Sequence, residues 1–272
     1  MADISIDEKR VYGEKTGTTE LYVAADLGVA VVAVSDDIVG EFSLAHRCTA
    51  RDLAAGPAFL AVATDADVLV SEDGGYAETG FGPAVAVGFD GGTLLAAGPD
   101  GRVARREDEA WHRVGEVADA RAIDGDLVGA ADGVYRVGDG LDHVGLSAVR
   151  DVATGGTPLA ATDDGLYYLG PGWAKAREGA FVAVASAPER GHAAGEAGLF
   201  ERTDEGWTAR DLPTEEPVVA VAHGRAASDA DGGGEGGAYA VTERGRVLVD
   251  AGDGWRGRAL GLAGATALAV AP

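Results

Sequence analysis

Five histidines, one cysteine and 45 carboxylates are the side chains of this 272-residue chain with the most chemistry to offer. The histidines, His46, His112, His143, His192 and His223, show no H-x-H or H-x-x-x-H spacing. Such spacings set two imidazoles on one metal, so the pattern gives no reason to expect a histidine-held zinc. Cys48 is the only cysteine, which excludes an internal disulfide framework and a cysteine zinc cluster. Its neighbours His46, Arg47 and Arg51 are the kind that can depress a thiol. The plainer expectation is a small buried apolar side chain. No G-x-S-x-G nucleophile elbow occurs, and GLSAV (145–149) has the wrong frame. No phosphate-cradling G-x-x-x-x-G-K-[ST] occurs either, and the G-x-G strings have no helix behind them. Neither a catalytic set nor a cofactor is expected.

Charge narrows the function classes further. The net charge is -23, and only Lys9, Lys15 and Lys175 are lysine. Arginines are scattered, so the basic stripe that nucleic acid requires is missing. A carboxylate coat poor in lysine, with abundant Ala and Gly, suits solubility where multimolar salt screens charge within a few ångströms. That composition looks like the proteome of a salt-in halophilic archaeon. The N-terminus, MADISIDEKRVYGEK, is mixed and acidic. The longest apolar stretch, 29–34, is far short of the roughly 20 residues that span a bilayer. A cytoplasmic monomer without membrane contact is the expectation.

The elements that must position any site come from an internal repeat. Gly101, Gly133, Gly165, Gly198 and Gly245 recur at intervals of 32, 32, 33 and 47 residues. Each follows a small, apolar run and precedes a short strand-like run such as VYRV or LYYL. Glycine suits such a turn because tight hairpin turns of the primed types need φ > 0. Upstream of each lies a further small strand: 83–89, 118–123, 148–154, 180–186 and 217–223. Trp111, Trp173, Trp207 and Trp255 sit at the start of the fourth strand of their units, with Leu141 and Tyr76 in that place elsewhere. Reuse at equivalent positions makes these aromatics packing residues between sheets rather than stacking platforms.

Four-stranded units at this period predict an all-β, seven-bladed β-propeller of antiparallel blades, with six or eight blades as alternatives. The unit spanning 49–80 supplies one more blade. The last is split: 20–26, 29–36 and 38–47 read as strands B, C and D, and 265–272 as their missing strand A. The C-terminal strand is therefore expected to complete blade one and close the ring in a single domain, 1–272. Residues 1–16 read as an N-terminal extension. Residues 225–237 read as a flexible insert between strands A and B of blade seven. Its Asp229, Asp231 and Glu235 lack the ligand ladder of a calcium loop.

Propeller ligands usually bind on the axis, at the face made by the D–A and B–C connections. On that face Arg47, Arg51, Glu215, Glu216 and Arg244 are the candidate binding residues. The inner strands are mostly Ala, Val and Gly, with Asp119, Arg121, Arg150 and Asp151 as exceptions. Strict alternation would send Arg150 and Asp151 to opposite faces. The expected role is a non-enzymatic interaction scaffold with a protein partner. The alternative is a small-ligand binder or metal-dependent, hydrolase-like enzyme with an axial pocket.

Residues 71–75, SEDGG, resemble the Asp-box turn of sialidase-repeat, sortilin-type and photosystem-assembly-type propellers, with Glu78 where that motif carries tryptophan. Over its length the chain is similar to the uncharacterised single-domain β-propeller family of haloarchaea. That resemblance implies a fold and a lineage, with no activity to carry over.

Overall fold

The computed structural model describes residues 18–224 and 236–271. The expected N-terminal extension and all but the last two residues of the expected insert lie outside them. Seven four-stranded antiparallel sheets form the seven blades of a ring. Blade 1 takes its strand A from the C-terminus (Ala267–Val270) and strands B to D from Thr19–Ala25, Gly28–Ser35 and Ile38–His46. Tyr22 pairs with Ala269 and Val23 with Leu268, so the last strand closes the circle. The six other inner strands are Ala50–Ala55, Ala86–Asp90, Ala120–Asp124, Val149–Ala153, Phe181–Ser186 and Val218–His223, in blades 2 to 7.

Period-two alternation explains where the core lies. Successive side chains of a strand face opposite neighbouring blades. Ala267 and Ala269 pack toward blade 2, and Leu268 between them packs toward blade 7. The result is seven apolar slabs, one per gap between blades, instead of one central core. The tryptophans fill these slabs: Trp111 between blades 2 and 3, edge-on to Phe81 at 4.7 Å, and Trp255 between blades 6 and 7. Leu141 and Tyr76 do the same in their gaps. Small inner-strand residues follow from geometry, because blades converge toward the axis.

The repeating turn glycines divide into two cases. Gly101 and Gly245 have φ of 86° and 74°, the conformation expected of them. Gly165 has no positive φ; there a Cβ would come within 3.0 Å of the Arg177 carbonyl oxygen. Its requirement is close approach, not handedness, which corrects the expectation for that turn. Blade 2 has Asp67 at the turn. Its carboxylate accepts from the amides of Val68, Gly80 and Gly82, fastening the connection to blade 3.

Candidate functional site

The inner strands enclose an axial channel with a cavity of about 450 Å³. Strand A of five blades skips one residue in its pairing with strand B. The skipped residues are Arg51, Arg121, Arg150, Val182 and Val219. A bulge leaves its extra residue unpaired and bends the strand. All five line the channel at its D–A mouth, where each inner strand begins. The basic residues come from blades 2, 4 and 5, and the valines from blades 6 and 7.

The bulge also corrects the expectation for Arg150 and Asp151, which both line the channel. Asp151 accepts from the Val152 amide and, across the blade gap, from the Val184 amide, both at 2.8 Å. Asp52 repeats this with Leu53 (2.8 Å) and Val87 (2.9 Å). Asp124 accepts from the Thr154 amide and hydroxyl. Three carboxylates thus tie blade 2 to 3, 4 to 5 and 5 to 6. Burial in the channel wall, only partly offset by the amide bonds, pushes Asp52 and Asp151 up to about 7 and raises Asp124.

A carboxyl whose folded pKa exceeds its unfolded value binds more protons when folded. Its contribution to stability is present below about pH 4 and is lost as pH rises through about 7. The parent is therefore expected to lose stability relative to a D52N/D151N variant between about pH 4 and 7. Melting temperatures across that range check this, and parallel profiles would contradict it. Each variant on its own is expected to cost about 1–3 kcal/mol, because one of two buried amides loses its acceptor.

Two histidines meet that the sequence reading kept apart. Nδ1 of His192, on Gly191–Gly195 of blade 6, lies 2.8 Å from Nε2 of His223, at the end of strand A of blade 7. The His192 ring also stands edge-on to Trp255 at 5.6 Å. Burial, reinforced by nearby Arg190, drives His192 down to about 2 and His223 to about 4. Both are neutral at ordinary pH, and one ring donates to the other. Glu201 lies 3.9 Å from His192 but is held by Arg210. Among the described residues, no three His, Cys, Asp or Glu side chains converge to hold a metal.

Of the five candidate binding residues, only Arg51 lines the channel. Arg47 lines a separate hollow between blades 1 and 2, with His46, Cys48 and Asp65. There burial first, then the charge of Asp65, pushes the Cys48 thiol up, opposite to activation. Glu216 is a bracket: it accepts from the Thr242 hydroxyl at 2.8 Å and lies 3.7 Å from Arg246. Glu215 and Arg244 are exposed. The residues missed, Arg121 and Arg150, carried a signal. ARD (50–52), ARA (120–122) and VRD (149–151) place arginine second in the inner strand three times.

Over residues 5–271 the chain matches the HVO_0234-like β-propeller family. No curated protein matches it significantly. Similar solved structures include a nidogen/laminin complex, with 9% identity, 93% of this chain and 98% of that chain covered, and a TM-score of 0.57. YCF48 bound to D1 peptide shares 14% identity over 77% and 82% of the two chains, with a TM-score of 0.56. The WD40 β-propeller domain of Doa1 shares 14% over 79% and 83%, with a TM-score of 0.60. At these identities the likeness is one of fold.

Proposed function

The chain belongs to the HVO_0234-like β-propeller family, and from that premise we propose that it is a non-enzymatic protein-interaction scaffold. It works as a monomer in the salt-rich cytoplasm of a halophilic archaeon, without contact to nucleic acid or membrane. One observation carries this reading: among the described residues, every carboxylate in the channel wall, Asp52, Asp124 and Asp151, is engaged by main-chain amides. Groups so engaged serve the ring, and none is held out toward a substrate as an acid, base or ligand would be. The net charge of -23 and the three lysines support the saline setting. Structural neighbours whose names give a complex or a bound peptide agree in kind.

The test is affinity capture from native cells in multimolar potassium chloride. Recovery of one specific partner in stoichiometric amount is expected. Stoichiometric calcium or zinc on the purified protein, with no partner recovered, would favour the alternative, a metal-dependent or small-ligand site in the channel.

A further inference from the structure

The five bulge residues do not form a uniform ring. Arg51 is exposed and makes no bond to another described side chain, which leaves its guanidinium open to a ligand. Arg121 spends one N–H on the Val149 carbonyl at 2.9 Å and keeps the rest. Arg150 is fixed by two bonds to Asp163, at 2.6 and 3.1 Å. The bonds and charge of Arg150, then the charge of Arg121, hold the Asp163 carboxyl below its usual range, so these two guanidiniums share one locality. None of Asp52, Asp124 and Asp151 forms an ion pair with them. Across the mouth stand Val182, 42% exposed, and the part-buried Val219. One arc is therefore basic and the other apolar, on a protein whose net charge is -23.

We infer that the D–A mouth of the channel binds an acidic peptide segment of a partner protein that also carries an apolar side chain. Carboxylates of that segment meet the fork donors of Arg51 and Arg121, and its apolar side chain covers Val182 and Val219. This rests on the scaffold reading and names the partner's chemistry. Guanidinium is suited to carboxylate because its planar fork matches both oxygens. An exposed valine at a channel rim gains by being covered. A nucleic acid fits poorly, because a polyanion meets the repulsion of the whole acidic surface, whereas a short segment brings few charges.

The test uses the full chain in molar potassium chloride and a fluorescein-labelled peptide of alternating glutamate and leucine. Its binding is followed by anisotropy. R51E and V182E are each expected to weaken binding by about tenfold or more while melting like the parent. R244A, outside the channel, is expected to bind like the parent. Unchanged affinity in both R51E and V182E would overturn the assignment, as would equal binding of a lysine–leucine peptide. Binding of citrate or polyphosphate without binding of the peptide would overturn it too. Cell capture separates the two levels. If an R51E/V182E variant recovers the same partner as the parent, the mouth is wrong and the scaffold stands. If the parent recovers no partner, the scaffold reading itself fails.

Discussion

A chain ending at Gly264 is expected to lose its cooperative unfolding transition. The eight residues removed include one strand of four residues, yet that strand serves two gaps. Ala267 and Ala269 fill the slab against blade 2, and Leu268 fills the slab against blade 7. Its loss also strips strand B of blade 1 of its inner partner, where Leu21 to Ala24 pair with Val270 to Ala267. A ring of repeats is stabilised mainly by contacts between neighbours, so opening it at one place weakens both flanking units. It also exposes a strand edge that closure had hidden. Removal of Leu268 as a core side chain alone is expected to cost about 2–5 kcal/mol. A domain has roughly 5–15 kcal/mol in all, and the truncation removes the pairing and three further core residues, Ala265, Ala267 and Ala269, besides. Calorimetry or far-UV circular dichroism reads the outcome. The point variant L268A should melt cooperatively at lower temperature, and the truncated chain should show no sharp transition. A truncated chain that melts like the parent would mean that the ring holds without its C-terminal strand.

Lowering the salt is expected to have the second largest effect. The chain carries 45 acidic against 22 basic residues. Carboxylates crowd where, among the described residues, no cation pairs with them, as at the exposed pairs Asp108–Glu109 and Asp204–Glu205 in C–D turns of blades 3 and 6. Repulsion between such sites reaches about 3 Å at 1 M ionic strength but about 30 Å at 0.01 M. At low salt every face of the ring therefore feels the others, and the compact state is penalised more than the expanded one. For a domain of this size each kcal/mol lost lowers the melting temperature by about 2–4 °C, so a fall of about 10 °C or more is expected on dilution. Melting in sodium chloride and in an equal ionic strength of another monovalent salt separates screening from specific ion binding. A melting temperature that does not move between molar and millimolar salt would remove the basis for the acidic coat as a saline adaptation.

The fold was legible because its cause is local and repeated. A glycine such as Gly101 marks a turn wherever it recurs, and an aromatic such as Trp111 marks the start of an outer strand. Each copy checks the others. The predicted inner strand at 217–223 lies within one residue of the observed Val218–His223, and the split blade was predictable from what each chain end lacked. The site was only partly legible, because it depends on departures from the repeat. Strict alternation put Arg150 and Asp151 on opposite faces, and one unpaired residue at each bulge defeats that rule. His192 and His223 are 31 residues apart on strands of different blades. Their contact is set by how two blades lie against each other, which no spacing along the chain encodes. Asp67 illustrates the same limit: a departure from turn glycine marks a place where a carboxylate holds three amides.

The five bulges have an evolutionary consequence. A bulge residue is left out of the ladder pairing, and of the five only Val219 packs against a slab between blades, so the identity of the other four is weakly constrained by the core. Positions 51, 121, 150 and 182 therefore form a set of interchangeable sites at one rim, on a ring whose stability resides elsewhere. Drift there can change what the mouth recognises while leaving the architecture intact. The same four positions are the natural places to diversify if the ring is to be retargeted in the laboratory.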